Sequence, residues 1–171
     1  MRLEFDEWLI RSWRPDDVSG LVKYANNRRV SRTLRDAFPY PYTTEDARAW
    51  LRFATQEQPE ANYAIASPKE AIGGIGLKLG NDVFSRSAEI GYWLGEPYWG
   101  KGIATGAVSA FTRFAFSNYD LARIEARVYE NNPASARVLE KAGYVCEGRL
   151  RKSITKDGRT MDHFLYATVL E

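Results

Sequence analysis

Sulfur and imidazole are almost absent from this chain, which has one cysteine, Cys146, and one histidine, His163, among 171 residues. A single cysteine excludes an internal disulfide, and the two together are too few for a cysteine and histidine metal cluster within one chain. A thiol and imidazole nucleophile pair needs only these two. Both fall in strand-like segments, where a small buried thiol and a partly exposed ring are expected, and neither receives a role. An excess of one charge is also lacking. The 24 basic and 22 acidic residues leave a formal net charge of +2, so nothing argues for nucleic acid or a membrane surface. No run of about 18 uncharged apolar residues occurs that would span a bilayer. Arg2, Glu4, Asp6 and Glu7 stand where a signal peptide needs an apolar stretch. A cytoplasmic protein without metal is expected.

What is present suits one globular domain over residues 1–171. At 44% hydrophobic content the chain can bury its own core, and no repeat, low-complexity tract or linker interrupts it. Glu7 to Trp13 reads as a strand closed by Pro15. Val18, Leu21, Val22 and Ala25 then recur at helical spacing, ending near Asn26-Asn27. Arg28 to Thr43 reads as a short helix and a loop, because two prolines prevent a continuous helix. Thr44, Glu45 and Asp46 open a second helix that fades at Gln58-Pro59. Asn62 to Ala66 and Ala71 to Leu79 form a hairpin, and Ser87 to Leu94 is the next strand. The principal helix runs from Ile103 to about Asn118, followed by a strand from Arg123 to Val128. Asn132-Pro133 enters a helix that Gly143 stops. A closing hairpin turns at Lys156-Asp157-Gly158. The order β-α-α-β-β-β-α-β-α-β-β describes an α/β (α+β) domain, a mixed and mostly antiparallel sheet of about seven strands with helices on both sides.

Trp99-Gly100-Lys101-Gly102-Ile103-Ala104-Thr105 stands immediately before the principal helix and reads as an anion cradle. Glycines let consecutive N–H groups converge, and the helix adds its own unpaired N–H groups and positive dipole end. A tight strand-to-helix turn is the simpler alternative. Two familiar phosphate loops do not match. A Walker loop needs serine or threonine directly after Gly-Lys, where this chain has Gly102. A dinucleotide fingerprint needs a third glycine where this chain has Thr105.

Ala88-Glu89-Ile90-Gly91-Tyr92-Trp93-Leu94, the cradle, Asn132-x-x-Ser135 and Glu140-Lys141-Ala142-Gly143-Tyr144 occur in one order and spacing. Together they resemble the GNAT superfamily of N-acetyltransferases, and most of all its ribosomal-protein N-terminal acetyltransferase branch, over essentially the whole chain. The resemblance implies a GNAT fold with a splayed gap between the strand ending at Leu94 and the one beginning near Arg123. It implies that the gap takes the pantetheine of acetyl-CoA, with the pyrophosphate on the cradle and Lys101 near the additional phosphate. Tyr92, Trp93, Leu94, Trp99, Gly100, Lys101, Gly102, Ile103, Ala104, Thr105, Asn132 and Ser135 are then the expected cofactor-binding residues. Tyr92, Trp93 and Tyr98 serve equally as core, and Asn132 and Ser135 as ordinary helix capping.

Direct acetyl transfer needs a neutral amine, a polarised thioester and a proton for the departing thiolate, and no covalent nucleophile. Glu89 is the expected base, acting directly or through water, because an apolar strand would bury it beside the gap. The alternative is a strand-edge glutamate paired to an arginine. Many relatives carry a tyrosine acid seven residues after the Asn-x-x-Ser asparagine. Here that position is Leu139, so Ser135 or a water is left to serve the thiolate. Trp99 replaces the glutamine or arginine usual at the first cradle position and leaves the backbone donors intact. Arg32, Tyr40 and Tyr42, in the arginine-rich loop from Arg28 to Tyr42, are the expected acceptor contacts. That loop suits an acceptor bearing carboxylates better than a polyamine; a solvated face is its simpler reading. A protein N-terminus is the first acceptor by resemblance, with a small amine or a silent acyl-CoA sensor as alternatives. No nucleic acid or membrane partner is expected, and a homodimer is left open.

Overall fold

Leu3 and Phe5 alternate with Arg2 and Glu4, and this short pattern folds into a hairpin that the sequence reading does not include. Strands β1 (Arg2–Phe5) and β2 (Trp8–Ser12) pair antiparallel. Asp6 makes the turn at φ 49, a left-handed conformation that aspartate tolerates. The computed structural model describes residues 1–171, and its sheet has eight strands instead of about seven. The others are β3 (Asn62–Ala66), β4 (Ala71–Leu79), β5 (Ser87–Leu94), β6 (Arg123–Tyr129), β7 (Val145–Lys156) and β8 (Arg159–Val169). They lie in the order β1-β2-β3-β4-β5-β6-β8-β7. Every neighbouring pair is antiparallel except β5 and β6.

Parallel neighbours need a crossover, and helix α4 (Ile103–Asn118) supplies it. Its Ile103, Ala107, Val108, Phe111 and Ala115 pack with Tyr63, Ile65 and Ile124 in the larger of two core clusters. The opposite face of the sheet carries α1 (Val18–Ala25) and α3 (Thr44–Gln56), whose Leu21, Ala25, Ala47 and Leu51 pack with Trp13 and Ala64. Neighbours on β3 therefore belong to different clusters, which is why that strand reads as a continuous apolar run. Thr43 caps α3 in a reciprocal box with Asp46, one residue earlier than the sequence suggests. Between α1 and α3 lies the single turn α2 (Arg28–Ser31), and α5 (Pro133–Lys141) follows β6.

The closing hairpin turns where expected, with Asp157 at φ 52 and Gly158 at φ 74, the two left-handed residues of a primed turn. Its ladder is irregular. Leu150 pairs with His163 and Ile154 with Met161, so Arg151, Lys152 and Ser153 lie opposite Asp162 alone. The excess residues bulge, with Lys152 at φ 49.

The entry to α1 is fixed by a buried ion pair. Arg11 donates to both carboxylate oxygens of Asp17 at 2.8 Å, and the two side chains are 8% and 5% exposed. Removing one member strands the other charge in the interior, so Asp17→Ala should lower stability by about 3–5 kcal/mol. Arg2→Ala, which breaks the exposed Arg2–Glu4 pair, should change it by less than about 1 kcal/mol. Urea denaturation of both variants checks this; equal effects would contradict it.

Candidate active site

Only three residue pairs join β5 to β6: Ser87 with Arg123, Ala88 with Ile124 and Glu89 with Glu125. Beyond Glu89 the strands part, β5 running on to Leu94 and β6 to Tyr129. From Ile90 to Leu94 strand β5 pairs with β4 on one side and presents unpaired amides to the gap on the other. Gly91 lies on this edge, where an added Cβ would meet nothing within 4 Å. The gap opens into a cavity of about 1650 Å³.

The cradle closes one end of this cavity. Gly100 at φ 72 and Gly102 at φ 77 place the chain in a conformation that side chains with a Cβ disfavour. The N–H groups from Gly100 to Thr105 donate to no acceptor in the chain. Four unpaired N–H groups, here those of Gly102 to Thr105, belong to the start of any helix; those of Gly100 and Lys101 come from the loop and extend the donor array. Trp99 braces the approach, its indole Nε1 donating to Leu94 O at 2.7 Å while the Arg29 guanidinium stacks on its ring. Gly100, Gly102, Ile103, Ala104, Thr105, Trp99 and Leu94 line the cavity, whereas Lys101 does not. The Lys101 ammonium lies instead over the Tyr98 ring.

Across the gap, Asn132 is the N-cap of α5, accepting from Ser135 N at 3.3 Å. Its capping role is therefore realised, and it lines the cavity too. The Ser135 hydroxyl meets the Tyr92 hydroxyl at 2.6 Å, which ties α5 to β5 over the opening. Burial raises the Tyr92 phenol above its ordinary value, so it keeps its proton and stays a donor. Leu139, where the family resemblance implies a tyrosine, is fully buried. Trp93 is on the wall as well, its ring against Phe38 at 5.3 Å.

Glu89 stands at the apex, on the last pair before the strands part. The expectation of apolar burial is corrected here. One carboxylate oxygen accepts from Arg35 of the connection before α3, and the other lies 3.4 Å from Arg127 of β6. The paired-glutamate alternative describes this state. Other loop residues separate likewise. Arg28, Arg29 and Arg35 are held by Asp157, Glu96 and Glu89, leaving Arg32 as the loop's unpaired guanidinium on the wall. Tyr42 lines the cavity but is only 5% exposed, packed with Trp13 and Leu51. Tyr40 is off the wall, 50% exposed beneath the Arg28 guanidinium.

Both readings of the scarce residues are corrected. Cys146 is exposed, on the edge strand β7, most of whose residues are exposed. His163 is only 3% exposed and lines the cavity. It shares an inward strand phase with Met161 and Ala167, which are equally buried. That phase was visible in the sequence, but a lone histidine in a strand reads as a partly exposed ring. Its Nδ1 lies 2.6 Å from Ser153 Oγ, and Nε2 has no hydrogen-bond partner. An unpaired buried polar atom costs about 1–3 kcal/mol. Burial first, then Arg127, pulls the ring below its ordinary 6.5, with Glu89 opposing. The cavity thus unites an anion cradle, a hydroxyl pair, a carboxylate between guanidinium groups and a neutral imidazole.

The sequence from 8 to 145 matches the model of the acetyltransferase (GNAT) domain. YoaA, an uncharacterized N-acetyltransferase of Bacillus subtilis (strain 168), is 38% identical over 98% of this chain and 96% of its own. The ribosomal-protein-serine acetyltransferase of Escherichia coli (strain K12) is 31% identical over 64% of this chain and 60% of its own. The fold superposes on that of RimL, a ribosomal L7/L12 alpha-N-protein acetyltransferase solved in complex with coenzyme A. That match has a TM-score of 0.88 over 99% of this chain and 98% of that one, at 21% identity.

Acid should weaken the fold through His163. Its folded value is depressed below 6.5, so the unfolded chain takes up the proton first and stability falls as pH drops from 6.5 to the folded value. The limiting slope is about 1.4 kcal/mol per pH unit. Urea denaturation against pH should show this slope in the wild type and its loss in His163→Gln; parallel curves would contradict the burial argument.

Proposed function

The chain belongs to the GNAT acetyltransferase domain family and is an N-acetyltransferase, and from that premise we propose that it moves the acetyl group of acetyl-CoA directly to the N-terminus of a protein or peptide. The observation that carries this reading is the array of unpaired N–H groups from Gly100 to Thr105 at the mouth of a gap with Glu89 at its apex. A pyrophosphate fits that array, and the amides of the pantetheine arm fit the open β5 edge from Ile90 to Leu94. Bound there, acetyl-CoA supplies an acetyl carbonyl activated toward amines and a thiolate leaving group.

The residues of this chain then divide the work. The cradle fixes the donor, with Asn132 and Ser135 on the far wall. Ser135, hydrogen-bonded to a phenol that keeps its proton, gives a proton to the leaving sulfur in place of the tyrosine missing at Leu139. Glu89, ion-paired to Arg35 and Arg127, keeps lone pairs free and assists removal of the amine's proton directly or through water. Arg32 and Arg35, with Arg127 behind them, favour an acceptor with carboxylates near its amine. The same cations disfavour a polyamine, although a spermidine N(1)-acetyltransferase is a distant relative at 23% identity.

A panel of peptides, polyamines and aminoglycosides, assayed by thiol release, tests the acceptor. Peptides with acidic residues near a free N-terminus should react fastest; faster reaction with spermidine would overturn the acceptor class. Glu89→Gln should lower kcat by roughly 10²-fold or more with acetyl-CoA affinity intact, and an unchanged rate would remove Glu89 from the reaction. Gly102→Val forces a β-branched residue into the left-handed region and should weaken acetyl-CoA binding about tenfold or more. Normal binding by calorimetry would refute the cradle.

A further inference from the structure

On the side of the sheet that carries α1 and α3, one cross-strand row is nearly free of side chains. In register, Asn62 of β3 faces Gly76 of β4, and Gly76 faces Gly91 of β5. Residues directly opposite one another share a face of the sheet. The Trp13 and Trp93 rings packed against Gly74, two residues along β4, identify that face as the α1 and α3 side. Gly91 is exposed, and a Cβ added there would meet nothing within 4 Å. Gly76 is roofed by Asn62, since a Cβ there would stand 2.2 Å from the Asn62 Oδ1. Asn62 Nδ2 donates to Glu57 Oε2 at 2.9 Å. A carboxylate only accepts, so the amide oxygen is the end turned over Gly76, with its lone pairs unused.

Two unlike rows flank this floor. On one side Glu89 of β5 stands directly opposite Lys78 of β4. On the other, Trp93 stands opposite Gly74, and the aromatic surface continues through Trp13 and Trp50 to Phe53 of α3, which is 53% exposed. The cavity wall includes Lys78, Glu89, Trp93, Trp50 and Phe53. Lys78 is the unused cation here. The lysine ion pairs of the chain are those of Lys23 and Lys156, whereas Lys78 has none and is exposed. Arg35 and Arg127 are both paired with Glu89. An unpaired lysine on a strand is ordinarily a solvated surface residue; Lys78 differs in standing one strand outward from Glu89, with Cβ atoms about 5 Å apart, beside the open floor.

We propose that the acceptor polypeptide leaves the gap along this row, over Gly91 and then Gly76, and that Lys78 selects a carboxylate on its second residue. This rests on the acetyl-transfer reading and specifies which residue of the acceptor is read. The amine of the first residue lies at Glu89, above β5. Successive Cα atoms are about 3.8 Å apart and neighbouring strands about 4.8 Å apart, so the second residue comes to lie over β4. Side chains of an extended chain alternate. The first therefore turns to the aromatic flank and the second to Lys78, while Asn62 Oδ1 accepts from a backbone N–H of the acceptor. Lys78 acts on acceptor binding and takes no part in the transfer itself.

Peptides identical except for aspartate, alanine or arginine at position 2, assayed by thiol release over a range of concentrations, test this. The wild type should favour aspartate over arginine by about tenfold in kcat/KM, chiefly through KM. Lys78→Gln should erase that preference and Lys78→Glu should reverse it, with acetyl-CoA affinity and kcat toward the alanine peptide retained. A structural role for Lys78 would lower the rates of all three peptides alike and would not reverse their order. A wild type that acetylates the peptides without preference at position 2, or a preference that survives Lys78→Glu, overturns this inference alone. A wild type inert toward every peptide overturns the peptide-acceptor reading with it.

Discussion

Two parallel strands that begin as a ladder and then part are the constraint on which the rest of this structure depends. A sheet gains by pairing every backbone group, yet β5 and β6 stop after Glu89 and Glu125, and each continues alone. The opening persists because it is propped. Helix α4 crosses from one strand to the other with its inner face locked in the core. On the far side α5 is capped by Asn132 and bonded through Ser135 to Tyr92 of β5. The unpaired edge from Ile90 to Leu94 and the donor array from Gly100 to Thr105 are therefore prepared before any ligand arrives, at positions set by the fold.

The electrostatics of the cavity are exchangeable on one side and fixed on the other. Arg35 and Arg127 are 58% and 42% exposed in their pairs with Glu89, and pairs of that exposure contribute little to stability. They are free to trade partners with an acceptor's carboxylates. The imidazole of His163 is instead buried against the Ser153 hydroxyl, and the phenol of Tyr92 meets both the hydroxyl and the carbonyl of Ser135. The cations proposed to greet the acceptor are thus the exposed ones.

Much of this was legible in the sequence. Helical spacing located α4, Gly100 and Gly102 located the cradle, and Asn132-Pro133 located the start of α5. The primed turn at Asp157-Gly158 was plain from the dipeptide. What was not legible depends on tertiary placement. β1 is only four residues long, too brief for its alternation to count. Glu89 sits in an apolar strand, so it read as buried; its partners Arg35 and Arg127 are 54 residues back and in the next strand of the sheet. Tyr40 and Tyr42 are alike in sequence, but one ring turns to solvent and the other into the α1 and α3 core. His163 read as a partly exposed ring, and only the folded chain shows it buried with Ser153 at its Nδ1. No sequence period records a bulge.

The measurement that tests the central claim most directly is a crystal structure with coenzyme A. The pyrophosphate oxygens should accept hydrogen bonds from the N–H groups between Gly100 and Thr105, and the amides of the arm should pair with β5 between Ile90 and Leu94, its sulfur beside Ser135. Phosphates held elsewhere, or β5 and β6 zipped into a continuous ladder with the ligand outside the gap, would contradict the account.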